Sequence, residues 1–237
     1  MKIMVINPNT SESMTEHLRR ELDLIKRKDT ELAVVCPNRG PVSIESAYDE
    51  AQAVPPTLEL VKKANVDGFN AVIIACFSDP GLHAAREISK ILVVGIQEIS
   101  LHVASMLGSK FTIITPLEKR IPSKYEEVHK YKLEQYLASV RALGMTVEET
   151  DADPERTKNR VLEVSRLSAE EDGAEVIILG CAGMAGYAEE IAAKLGLVVI
   201  DPSSVALKIC EGMVNAGLYH CKRALYAYPP PKEFKGM

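Results

Sequence analysis

The sequence has no tryptophan and no run of apolar residues near the roughly 18 that a membrane-spanning helix needs. It has no basic excess either. Lys and Arg number 28 against 33 Asp and Glu, for a formal net charge of −5. A general nucleic-acid binder would show a basic stripe, so that class is excluded. There is no Cys-x-x-Cys, and the five cysteines are an odd number, which fits no simple disulfide framework. Gly180-Cys181-Ala182-Gly183 is too short for a phosphate loop and lacks its lysine. His17, His83, His102, His129 and His220 have no metal-ligand spacing, so no metal and no cofactor is assigned. The start, Met1 to Pro8, breaks too soon for a signal peptide and reads as a strand. Together these absences predict a cytoplasmic protein with reduced thiols and a small-molecule substrate, without nucleic-acid or membrane partners.

What is present is the balance of a soluble globular enzyme: 237 residues, 46% apolar and 26% charged. Apolar strands alternate with helical spacings. Lys2–Asn7 reads as a strand, and Ser11–Lys26 as a helix with a capping box at Ser13-x-x-Glu16. Leu32–Cys36 is a second strand and Pro37–Ser46 a loop. A helix follows from about Tyr48 to Lys63, with Pro55-Pro56 expected to kink it or mark a restart. Ala71–Ala75 is a fully apolar strand. Asp79-Pro80 reads as an N-cap with proline opening the next helix. Leu92–Gly95 and Phe111–Thr115 are strands flanking a helix at Ile99–Leu107. The pattern then predicts one long helix over Pro122–Leu143, a strand at Thr146–Glu149 and a helix at Pro154–Asp172. A strand at Val176–Gly180, a helix at Met184–Leu195, a strand at Val198–Ile200 and a helix at Ser203–Ala216 complete it.

Such alternation implies parallel sheets. The fold expected is α/β: two Rossmann-like lobes related by a pseudo-two-fold, with the active site in the cleft between them. The lobes are expected at 1–98 and 99–201. A C-terminal helix and tail, 202–237, would pack back on the first lobe.

Two cysteines occupy matching places in these halves. Cys76 ends the run Ala71–Ala75, and Cys181 ends Val176–Gly180. The carboxyl ends of parallel strands are where open α/β sheets bind ligands. A nearby helix amino terminus would lower a thiol pKa, and Gly81 and Gly183 would admit a ligand close to the backbone. Two opposed thiols suit removal of a proton from one face of a carbon and its return to the other. Cys36, Cys210 and Cys221 read as packing cysteines. Asn9 follows the first strand and is placed to contact a ligand. Thr115 also ends a strand. Asp79 and Asp201 read as helix caps.

At these residues the chain resembles the hydantoin racemase branch, which includes allantoin racemases, of the aspartate/glutamate racemase superfamily. The resemblance lies in Ile6-Asn7-Pro8-Asn9-Thr10-Ser11, Gly40-Pro41-x-Ser43-Ile44-Glu45, Ala75-Cys76-Phe77-Ser78-Asp79-Pro80-Gly81-Leu82 and Leu179-Gly180-Cys181-Ala182-Gly183-Met184. It implies cofactor-independent, two-base racemisation by a homo-oligomer, with Cys76 and Cys181 as acid and base. Asn9, Ser78, Thr115 and Gly183 are the implied ring-binding positions, and Ser43 and Ile44 the implied contacts to the C5 substituent. Amino-acid racemases of the superfamily commonly carry Gly-Cys-Thr-His or Gly-Cys-Thr-Glu at the second cysteine. Ala182-Gly183 here favours a cyclic ureide over a free amino acid. The alternatives left open are an aspartate/glutamate-type racemase, a maleate-type isomerase and a non-enzymatic small-ligand binding module.

Overall fold

The strands Ala71–Ile74, Leu92–Gly95 and Val176–Leu179 are apolar and buried along their length because both of their faces are covered, as parallel sheets require. The computed structural model describes residues 1–233. The first sheet is built from β1 (Lys2–Ile6), β2 (Glu31–Val35), β3 (Ala71–Ile74) and β4 (Leu92–Gly95), in the order β2-β1-β3-β4. The second uses β5 (Phe111–Thr115), β6 (Leu137–Ala142), β7 (Val176–Leu179) and β8 (Val198–Ile200), in the order β6-β5-β7-β8. All pairings are parallel. The same topology therefore occurs twice, in two lobes.

The helices are α1 (Glu12–Ile25), α2 (Ala47–Val66), α3 (Leu82–Ile88), α4 (Ile96–Leu107), α5 (Ile121–Lys130), α6 (Val147–Ala152), α7 (Pro154–Asp172), α8 (Ala188–Leu195) and α9 (Pro202–Asn215). Strand side chains alternate between faces. Met4, Ile6, Val72 and Ile74 pack outward under Val61 of α2 and Leu82 of α3. Ile114, Ile177 and Leu179 do the same under α7 and α8. The inward set, Ile3, Val5 and Ile73 with Phe111, Ile113 and Ile178, forms one continuous core with α1, α4 and α9. Each such buried aliphatic contributes roughly 1.5–3 kcal/mol, so the shared core holds the lobes firmly about the cleft. α9 packs on α1, α4, β3 and β4. No helix among the described residues is long and apolar enough to cross a membrane.

The structure corrects several sequence expectations. Pro122–Leu143 is not one helix. α5 stops at Lys130, Lys132 takes a left-handed φ of 58°, and Leu137–Ala142 becomes β6. Its Leu, Ala and Arg favour a helix, but the open edge of β5 supplies ladder partners and overrides that preference. Ser139 binds Thr112 at 2.8 Å and Arg141 binds Asp172 at 2.6 Å, holding the half-exposed strand in place.

Thr146–Glu149 is not a strand but the capping box that opens α6, with Glu149 N–H donating to Thr146 Oγ1 at 3.1 Å and Thr146 N–H to Glu149 Oε2 at 2.7 Å. The cap of α1 is Ser11 rather than Ser13. α2 runs unbroken through Pro55-Pro56. After Cys181 comes a short 3₁₀ turn, Ala182–Met184, and α8 begins only at Ala188. Asp201 caps α9, accepting from Ser203 N–H at 2.9 Å. Asp79 also caps a helix, but not the one that follows it. α3 opens at Gly81, whereas the Asp79 carboxylate accepts from Gln97 N–H at 3.0 Å and Glu98 N–H at 2.8 Å, the first turn of α4.

Candidate active site

In a sheet of order 2-1-3-4 the connections leave β1 and β3 in opposite directions, opening a crevice at their carboxyl ends. Asn7 and Asn9 follow β1, and Cys76 and Ser78 follow β3. In the second sheet the corresponding pair is β5, which ends in Thr115, and β7, which is followed by Gly180-Cys181. The two switch points meet. Asn7, Asn9, Cys76, Ser78, Thr115 and Cys181 line one cleft containing about 570 Å³ of space, part of it open to solvent.

Local constraints fix each group. Asn7 donates to Asn9 Oδ1 at 2.8 Å and to Thr15 Oγ1 at 3.0 Å, and Ser11 N–H donates to the same Asn9 oxygen at 2.9 Å. The only contact of Asn9 Nδ2 among the described residues is the weak acceptor Met14 Sδ at 3.6 Å. An amide donor is thus left facing the cleft. Cys76 Sγ lies 3.5 Å from Ser78 Oγ. Gly180 precedes Cys181 because a Cβ there would sit 2.6 Å from the Ile114 carbonyl oxygen. Thr115 is buried in the wall of the cleft.

Not every expected residue is in the cleft. Ile44 lines it, but Ser43 does not. Gly183 is not among the cleft-lining residues but borders a neighbouring cavity, where a Cβ on it would lie 3.6 Å from the Cys181 sulfur.

The sequence reading missed Met14, Glu45, Leu117, Arg120, Lys124 and Val147, all cleft-lining. Glu45 Oε1 accepts from Val147 N–H at 2.7 Å, tying the first lobe's loop to α6. Arg120 pairs with Glu50, and Lys124 Nζ lies 2.8 Å from Glu127 Oε2. The cations after β5 were a usable signal: Lys124 falls inside the expected Pro122–Leu143 helix and Arg120 just before it.

The electrostatics also differ from expectation. Neither thiol abuts a regular helix amino terminus: α3 starts six residues after Cys76 and α8 seven after Cys181. The dipole effect fades within the first turn. Burial dominates, pushing Cys76 up to about 12 and Cys181 up to about 11. Each thiol is partly open to the cleft, and all five cysteines are free.

The family model for Asp/Glu/Hydantoin racemase matches residues 3–210. The chain is 41% identical to a hydantoin racemase of Pseudomonas sp. (strain NS671) over 237 residues, covering 100% of this chain and 95% of that one. It is 37% identical to a hydantoin racemase of Rhizobium meliloti over 236 residues, covering 100% and 98%. A solved allantoin racemase from Klebsiella pneumoniae superposes with a TM-score of 0.96 at 36% identity, covering 100% of this chain and 96% of that one.

Proposed function

The chain belongs to the Asp/Glu/hydantoin racemase family, and on that premise we propose that it racemises 5-substituted hydantoins, allantoin among them, by proton transfer between Cys76 and Cys181. One observation carries the reading: the two thiols end strands at the switch points of different sheets, yet line the same cleft.

In this mechanism one cysteine is a thiolate and the other a thiol. The thiolate takes the C5 proton, and the C5–H electron pair spreads onto the adjacent ring carbonyl. The neutral cysteine then gives its proton to the opposite face of C5. The product is inverted, and the protonation states of the two cysteines are exchanged. That leaves the enzyme set for the opposite enantiomer, so no cofactor is consumed. Asn9 Nδ2, the Thr115 hydroxyl and Ser78 are the groups we assign to the ring's polar edges, and Ile44 to the substituent. A free dicarboxylate fits less well. Of the cleft's two cations, Arg120 is already engaged by Glu50, which leaves Lys124 alone to meet two carboxylates.

We place the enzyme in the cytoplasm, where its thiols stay reduced, as a homo-oligomer; sedimentation velocity checks the second point. The test of function is one enantiomer of a 5-substituted hydantoin in heavy water. Loss of optical rotation with deuterium entering C5 is expected. Unchanged rotation across allantoin, 5-benzylhydantoin and 5-isobutylhydantoin would exclude the reading.

A further inference from the structure

We propose that Lys124 is the shared countercharge of the two thiols, a positioning residue whose ammonium lets whichever cysteine acts as base carry its negative charge. The inference rests on the reading that both thiols exchange protons in the cleft.

Lysine is almost never fully buried unless paired, and Lys124 is only 2% exposed. It extends from α5 into the cleft that holds both cysteines. Its Nζ donates to the carbonyl oxygen of Phe77, the residue after Cys76, and to Glu127 Oε2 at 2.8 Å. Among the described residues no acceptor takes its third N–H. Gln97 Nε2 closes the arrangement, donating to the same Phe77 oxygen at 3.0 Å and to Glu127. The ammonium is thereby fastened to the Cys76 loop.

Glu127 does not cancel it outright, because that carboxylate is shared with Gln97 and lies 3.7 Å from Arg120. Arg120 is itself engaged by Glu50. The other charges near the thiols act in the wrong direction: Glu50 disfavours a Cys76 thiolate, and Glu45 and Asp151 disfavour a Cys181 thiolate. Lys124 acts in favour of ionisation at both. A thiolate in this covered cleft needs such a partner, since an unpaired buried charge is heavily penalised. A countercharge common to both thiols also suits a reaction in which the negative charge passes from one to the other.

The test titrates the thiols of the substrate-free enzyme. Alkylation by iodoacetamide is followed from pH 6 to 11, and peptide mass spectrometry reads Cys76 and Cys181 separately from Cys36, Cys210 and Cys221. Lys124→Met should slow alkylation of both cleft cysteines at least tenfold at pH 8 and displace both profiles to higher pH. The double variant Lys124→Met with Glu127→Gln removes the orphan carboxylate and should show the same displacement in a fold under less stress. Lys124→Arg keeps the charge and should remain near the wild-type profile. A wild-type profile for either cysteine in the folded Met or double variant would overturn the proposal. So would an Arg variant displaced as far as Met. Racemisation is measured separately. Displaced profiles in a protein that turns over no hydantoin would sink the proposed function and leave the countercharge standing.

Discussion

The carboxyl group of Asp79 fills the space that a side chain at Gly95 would need. A Cβ on Gly95 would lie 2.1 Å from Asp79 Cγ. From that position Asp79 caps α4, and it does so with a left-handed φ of 47°, which Asp and Asn tolerate better than other non-glycine residues. The loop after Cys76 is thus anchored to the helix that begins after β4. Gly95→Ala should evict Asp79 and lose the cap, costing about 2 kcal/mol or more. Asp79→Asn keeps an acceptor and the left-handed tolerance, and should cost about 1 kcal/mol or less. Thermal unfolding of the two variants checks the order.

Separate functions for the two cysteines give a distinctive outcome on replacement. Cys76→Ser and Cys181→Ser should each abolish racemisation to below about one hundredth of wild type, on the scale of losing a positioned acid or base. Each should still exchange solvent deuterium into C5 of one enantiomer, with retention, and the two variants should prefer opposite enantiomers. Proton NMR in heavy water reads this directly. Equal exchange of both enantiomers by either variant would contradict the two-base arrangement.

Burial raises both thiols, to about 12 at Cys76 and about 11 at Cys181, and the sign of the pH dependence follows. At neutral pH both are held as thiols, and the active form has lost one proton from the pair. Its fraction grows tenfold per pH unit below the first apparent ionisation, which belongs to the pair rather than to either residue. Values of kcat/KM, corrected for ionisation of the substrate, should therefore rise from pH 6 to beyond pH 9 with a slope near one. The same elevated thiols bind protons more tightly when folded than the unfolded reference near 8.5. Their contribution to stability is accordingly present below that value and lost as pH climbs towards 11 and 12.

Glu45 joins the Ser43-Ile44 loop to α6 through its 2.7 Å bond from Val147 N–H. Glu45→Ala should loosen that side of the cleft and raise KM several-fold, with kcat less affected. Glu45→Gln retains an acceptor and should stay near wild type. Initial-rate kinetics on one hydantoin distinguishes them.

Much of this was legible in the chain. Ala71–Ala75 and Val176–Gly180 are apolar at every position, a pattern that marks covered parallel strands, and each runs into a cysteine. Asn9 and Thr115 followed from the same strand-end logic. β6 was not legible. Its residues prefer a helix, and only the vacant edge of β5 decides otherwise. α6 was misread although Thr146 and Glu149 already carry the capping-box spacing. Gly183, a ring-binding position implied by the resemblance, borders the cavity beside the cleft, a placement that the 3₁₀ turn after Cys181 decides.

By itself the sequence determined that there would be two parallel α/β lobes and that each would end a central strand in a thiol, because burial periodicity and strand-end chemistry are local properties. The tertiary structure alone decided that the two switch points share one cleft. It placed Lys124, Arg120 and Glu45 beside them, and it made the thiols harder rather than easier to ionise. Those outcomes depend on distance and solvent exclusion among residues more than a hundred positions apart, which no local pattern encodes.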